Sequence, residues 1–178
     1  MILPDWRIEE YAKSGMIKHF TKKRLSSYGY DMTLSNKFLM PRRSYQKQLI
    51  IDPKTITLDD FEEYEGKHVI IPPNSFVLGK SVEYFSLPRE ILAICLGRST
   101  YARCGIITNV TPLEPEWEGV VTIEISNTNQ VPAKVYADEG ISQAVFLEAK
   151  DICKISYRDK KGRYQNQVDI TLPSMGKR

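Results

Sequence analysis

The sequence predicts a mainly β fold, a sandwich or a barrel, preceded by one short helix. Three observations predict it. Short apolar or alternating runs recur from Val69 onward, each closed by a turn signal such as Pro72-Pro73-Asn74, Asn127-Thr128-Asn129 or Asp138-Glu139-Gly140. No strand–helix–strand alternation interrupts them, and no internal repeat is present.

The elements follow in order. Pro4-Asp5-Trp6 opens an amphipathic helix whose Trp6, Ile8, Tyr11 and Ala12 recur at roughly helical spacing, and Gly15 ends it. Lys13, Lys18, Lys22, Lys23 and Arg24 form a basic stretch, read as a solvated loop in preference to a phosphate-contacting arm. Ser26 to Asp31 turns into a strand beginning Met32-Thr33-Leu34, and Phe38-Leu39-Met40 is a second short strand. Residues 41–66 are polar and read as a long surface excursion with one helical turn. Val69-Ile70-Ile71, Phe76 to Val82 and Ile91 to Leu96 are strands, the last expected to be buried on both faces. Ile106-Ile107 with Val110, Val120 to Ser126, Val131 to Ala137 and Ile141 to Leu147 complete the set. Residues 157–178 are polar and are expected to be a partly mobile tail of a single domain spanning 1–178.

Composition narrows the function classes. The 178 residues carry 25 basic and 22 acidic side chains, too even a balance to argue for nucleic acid as a partner. Any anion site would have to be local. No segment approaches a membrane span, and MILPDWRIEEY lacks the pattern of a signal peptide. Cys95, Cys104 and Cys153 form no CxxC pair and read as buried reduced thiols, which fits a cytoplasmic protein.

The chemistry concentrates in Gly97 to Asn127. Gly97-Arg98-Ser99-Thr100-Tyr101-Ala102-Arg103 follows an apolar strand, and Ser99 is a candidate N-cap for a helical turn. Free N–H groups, hydroxyls and two arginines there suit an anion, although a capped turn with surface arginines explains the same residues. In Val120 to Ser126, alternation places Val121, Ile123 and Ile125 on one face and Thr122, Glu124 and Ser126 on the other. A mid-strand glutamate flanked by isoleucines suits proton transfer if desolvated. On pattern alone, a solvent-face glutamate is the commoner reading. Leu113 to Gly119 is an acidic turn that reads as surface. The HxE and PCxxC motifs of zinc nucleobase deaminases are absent, as are the Walker A and dinucleotide glycine patterns.

Taken together, Arg98 to Arg103, Val110-Thr111-Pro112, Glu116-Trp117-Glu118-Gly119 and Thr122 to Asn127 closely resemble dCTP deaminase, of the dUTPase-like superfamily. Ser26 to Asp31, Pro72 to Phe76, Ser81 to Phe85, Tyr157 and Gly162 to Gln167 extend the resemblance to nearly the whole chain, with 41–66 left unaligned. It implies a distorted β-barrel of the dUTPase-like type, assembled as a homotrimer with sites between subunits. It implies hydrolysis of dCTP to dUTP and ammonia without zinc, with Mg²⁺ arriving on the triphosphate and no metal held by the protein. It makes dTTP a candidate inhibitor, and neither nucleic acid nor membrane a partner. Glu124 falls at the general acid/base position, with Ser99 and Arg103 orienting water and base. Arg98, Ser99, Thr100, Tyr101, Ala102, Arg103, Thr122, Ile123, Glu124, Gln143, Tyr157, Arg163 and Gln167 fall at nucleotide contacts; Arg163 replaces an expected lysine. The turn Leu113 to Gly119 is also similar to the IDxDYxG turn of dUTPase, with Glu114 at the catalytic acid. A bifunctional enzyme continuing to dUMP, or a non-catalytic nucleotide-binding module, are the alternatives. Glu124, and a tail with only Gly162 and Gly176, favour deamination.

Overall fold

The computed structural model describes residues 1–42 and 51–175. Two long strands, β7 (Ser75–Ser86) and β10 (Glu118–Asn127), pair antiparallel and form its spine. β10 also carries β9 (Ile106–Asn109). β7 carries β4 (Lys37–Pro41), which pairs with β5 (Phe61–Glu65), and β1 (Ile17–Lys18) also joins β7. A second sheet runs β2 (Leu25–Ser26), β3 (Gly29–Thr33), β12 (Gly140–Glu148), β8 (Ile91–Gly97). A two-stranded sheet pairs β6 (His68–Ile71) with β11 (Ala133–Tyr136). The pairings between these strands are antiparallel, so each strand shows one face to the core and one outward.

The core lies between the sheets. Tyr30, Met32, Leu34, Phe38, Val77, Phe85, Ile123, Ile125 and Phe146 interdigitate there, fully or almost fully buried. The opening helix, α1 (Asp5–Lys13), caps one side through Ile8, while Trp6 is exposed. Gly15 takes a φ of +101°, which explains why the helix stops at this glycine. A smaller cluster of Leu39, Phe61 and Leu78 packs beside the main core, and Ile170 and Leu172 of the C-terminal segment lean on it.

β10 bulges against β7 between Val120 and Thr122. The freed Val121 N–H donates to the Ser81 hydroxyl at 2.8 Å, and that hydroxyl donates to the Glu83 carbonyl at 2.7 Å. The bulge is thus internally satisfied, as a buried irregularity must be. Buried Asn127 ends β10. Its amide reaches the carbonyls of Ile71, Pro72 and Val131, and its oxygen accepts from the Asn129 N–H, locking the expected turn.

Four expectations change. Residues 61–65 form a strand where surface excursion was expected; among the described residues a helical turn is present as the 3₁₀ segment Leu58–Asp60, and residues 43–50 lie outside the described set. β8 is not covered on both faces in this chain, because Ile94 and Leu96 are exposed on its outer side. Val131 falls outside β11 and is exposed. Of the cysteines, Cys104 is exposed, whereas burial pushes the Cys95 thiol up to about 12.

Candidate active site

Glu124 stands in the middle of β10, opposite Leu78 of β7 and Asn109 of β9. The alternation is as read: Val121, Ile123 and Ile125 are buried, and Thr122, Glu124 and Ser126 share the partly open face. A strand hydrogen-bonded on both sides leaves the carboxyl no route off that face. Burial raises its pKa, with a hydrogen bond from its own backbone N–H opposing the shift. No cation pairs with it among the described residues. It is therefore a partly desolvated, uncompensated carboxyl, the condition that tunes glutamate toward neutral-pH proton transfer.

Its neighbours on the face are polar and tied to the C-terminal segment. The Thr122 hydroxyl accepts from the Thr171 N–H at 3.1 Å and lies 3.5 Å from the Gln167 side-chain oxygen. Gln167 is held by a parallel bridge to Gly119, and its carbonyl accepts from Val120 N–H at 2.8 Å. Two expected contacts, Thr122 and Gln167, are thereby brought together beside Glu124's strand. A hollow of about 340 Å³ opens at the opposite end of β10, where β7 begins, lined by Asn74, Ser75, Phe76, Ser126, Asn127 and Thr128.

The helical turn α2 (Ser99–Ala102) follows β8, with Arg98 and not Ser99 at its N-cap. No side chain caps it, which frees the Ser99 hydroxyl from the capping role the sequence suggested. Arg98 is held instead: its guanidinium donates to the Gly140 carbonyl (3.1 Å) and forms an ion pair with Asp31 (3.1 Å). Gln143 of β12 joins the same group, donating to Asp31 at 3.0 Å and to Ser26 Oγ at 3.2 Å. Tyr101 packs on the core, and its hydroxyl accepts from the Tyr136 N–H at 3.4 Å. Among the described residues, the side chains of Ser99, Thr100 and Arg103 have no hydrogen-bond or ion-pair partner. Ala102 is exposed on the same turn.

The backbone beyond α2 is pinned at Gly105 and Cys104 to Thr128 and Asn129, past the far end of β10. No hydrogen bond joins Ser99 or Arg103 to Glu124 among the described residues.

In the tail, Tyr157 N–H donates to the Pro115 carbonyl and its hydroxyl accepts from the Tyr164 N–H at 3.0 Å. Arg163 reaches the Ser174 carbonyl at 2.9 Å. Gly176 lies outside the described residues. The acidic turn is neutralised locally. Lys160 pairs with Glu114 at 2.7 Å, Arg89 with Glu116 at 2.8 Å, and Arg158 with both Glu116 and Glu118. With its carboxylates so engaged, this turn does not offer the free oxygen set a hard cation requires. Among the described residues no three His, Cys, Asp or Glu side chains converge as metal ligands, and no helix is long and apolar enough to cross a membrane.

The sequence reading did not single out Asp31 or Gly140, which the structure places at Arg98. Their signal was faint: an aspartate in mid-strand, between buried Tyr30 and Met32, is a poor strand former kept for some other reason.

Comparison with known proteins bears on the family and the fold. A family model described as dCTP deaminase-like matches residues 2–149. A protein named dCTP deaminase from Acidobacterium capsulatum is 52% identical over 98% of this chain and 99% of its own length. One of the same name from Wolinella succinogenes is 51% identical over 97% of this chain and 92% of its own. A solved structure of 2'-deoxycytidine 5'-triphosphate deaminase from Agrobacterium tumefaciens superposes with a TM-score of 0.67 at 19% identity. It matches 82% of this chain, which spans 47% of that one. The mainly β architecture with a short N-terminal helix is thus shared.

Proposed function

The chain belongs to the dCTP deaminase family, and on that premise we propose that it hydrolyses dCTP to dUTP and ammonia in pyrimidine deoxynucleotide metabolism, with Glu124 moving the proton. The observation that carries the role of Glu124 is its partly buried carboxyl, raised by desolvation and without a cation, at mid-strand on an otherwise polar face.

The steps balance on one carboxylate. Glu124 takes a proton from water as the oxygen adds to C4 of cytosine, and returns it to N3, whose double bond to C4 the addition opens. The proton of the new C4 hydroxyl then passes through the same carboxylate to the amine, which leaves as ammonia as C4 becomes the carbonyl. The carboxylate is regenerated after each transfer. Ser99 and Arg103 hold the water and the base in line, which supplies the rate that no zinc provides. Arg98, Thr100, Tyr101, Ala102, Tyr157, Arg163 and Gln167 gather the nucleotide; Thr122 and Ile123 border the base, and Gln143 supports the sugar–phosphate end. Mg²⁺ comes with the triphosphate and neutralises phosphate charge, held by phosphate oxygens and water.

The subunit is proposed to be a distorted barrel within a cytoplasmic homotrimer. That the Ser99 and Arg103 side chains find no partner among the described residues of one chain favours a site shared between subunits. Residues 1–178 act as one domain, and dTTP is the expected feedback ligand. The Glu114–Lys160 ion pair favours deamination alone over a second, pyrophosphate-releasing step, because it occupies the acid such a step would use.

Product analysis with dCTP and Mg²⁺ tests the assignment. Ammonia and dUTP are expected; pyrophosphate would show the bifunctional reaction. Glu124→Gln is expected to lower ammonia release by roughly 10²–10⁴-fold while dCTP still binds. Wild-type turnover in that variant would remove Glu124 from the chemistry. Treatment with a zinc-selective chelator is expected to leave activity intact once Mg²⁺ is restored, and rescue by zinc alone would contradict the mechanism.

A further inference from the structure

Asp31 sits on β3 with its side chain largely covered, and it is the meeting point of two residues from two other elements. One carboxylate oxygen is ion-paired with Arg98, at the N-cap of α2, and the other accepts from Gln143, its cross-strand partner on β12. Arg98 is held a second time by the Gly140 carbonyl, and Gln143 a second time by Ser26. Gly140 makes the close approach possible. A Cβ there would stand 2.9 Å from the Arg98 guanidinium and 3.1 Å from Asp31 Cβ. Arg24 also borders Gly140, but its charge is directed to Glu139 and to the Asp138 carbonyl.

This arrangement decides what each group has left to offer. A carboxylate only accepts, so Gln143 must turn its Nε2 toward Asp31. Both Nε2 hydrogens are then engaged, by Asp31 and Ser26, and Oε1 is left without a partner among the described residues. Gln143 therefore presents an acceptor, suited to a hydroxyl, an amine or a water and not to a bare phosphate oxygen. Arg98 donates from one terminal nitrogen to the Gly140 carbonyl and sets the other against the Asp31 carboxylate, and the rest of the guanidinium remains for an anion, with its orientation already held.

We propose that Asp31 is a positioning residue for the nucleotide site, locking Arg98 as an anion donor and Gln143 as an acceptor before the ligand arrives. The inference rests on the reading of Arg98 and Gln143 as nucleotide contacts. Preorganisation of this kind raises affinity by removing the ordering that binding would otherwise require.

Binding of dCTP, measured by calorimetry in a Glu124→Gln background where turnover does not interfere, tests it. Asp31→Asn is expected to weaken binding about tenfold, because the ion pair that holds the Arg98 guanidinium is lost. In an Arg98→Ala background the same substitution is expected to cost about threefold or less, since its main partner is already gone. Unchanged affinity in Asp31→Asn overturns the proposal, and so does a loss undiminished by Arg98→Ala, which would mark a general structural role. Should Asp31→Asn fail to fold, Arg98→Lys poses the same question, since lysine keeps the charge without the rigid fork. About tenfold weaker binding is expected, and parent-like binding would overturn the proposal. A parent that binds no dCTP would defeat the functional reading first. A parent that binds beside an Asp31→Asn variant of equal affinity defeats only this inference.

Discussion

Glu124 carries a charge that its surroundings disfavour, and two measurable consequences follow. As base it must be ionised, so kcat/KM should fall as pH drops through its raised pKa. The inflection should lie above the ordinary glutamate value of 4.5. An acid limb at or below that value would detach the profile from this residue. The stability consequence has the opposite sense. A carboxyl whose pKa is higher folded than unfolded binds more protons in the folded state, so stability declines as pH rises through that window. Glu124→Gln removes the decline. Its melting temperature relative to the parent should therefore grow between about pH 4 and about pH 8; a constant difference would mean the carboxyl is freely solvated. Alternation in the sequence placed Glu124 on the right face but could not show its burial, because burial depends on β7 and β9 arriving from elsewhere. Ser99 shows the converse limit. A serine after a strand reads as a cap, yet the backbone turns one residue earlier and leaves its hydroxyl unused by the helix.

At the scale of elements, the site face depends on how β7 and β10 are held. Buried Glu83 on β7 accepts from the Tyr30 hydroxyl (3.0 Å), the Thr33 N–H (2.9 Å) and the Thr33 hydroxyl (2.7 Å), and so ties the spine to β3. Glu83→Leu strands these donors and should lower stability by about 3 kcal/mol, read as a lower urea midpoint at unchanged slope. A variant as stable as the parent would show that water replaces the carboxylate. On β10, Gly119 has a φ of +149°, and a Cβ would stand 2.8 Å from Gln167 N. Gly119→Ala should loosen the segment that places Gln167 beside Thr122. Faster amide exchange across 165–171, with weaker dCTP binding, is the expected result; exchange unchanged there would show that the contact adapts. The long strands were legible because both alternate or run apolar between clear turns. β5 was not, because Phe61-Glu62-Glu63-Tyr64-Glu65 buries only its phenylalanine and pairs along one edge of the sheet. An acidic, exposed edge strand looks like a loop in sequence.

At the scale of the whole molecule, what remains unaccounted for within one chain points outward. Ile94, Leu96 and Ile107 are exposed apolar side chains on β8 and β9, the strands that flank α2, and Ser99 and Arg103 on that turn lack partners. The sequence reading took the apolar run of β8 as a strand buried on both faces, and a strand covered by a second subunit would have the same composition. Pattern alone does not distinguish cover by the same chain from cover by another. If subunits associate through this side, Leu96→Glu should shift the sedimentation of the protein toward monomer and abolish activity together. An assembly unaffected by that charge would place the interface elsewhere. Complementation examines the site itself. Arg103→Ala and Glu124→Gln should each be inactive alone. When the two are mixed under conditions that exchange subunits, some sites combine an intact Arg103 from one chain with an intact Glu124 from another. Activity should then return to a fraction of the parent's. If the two groups instead served one site from the same chain, every site would keep one defect, and mixing would restore nothing.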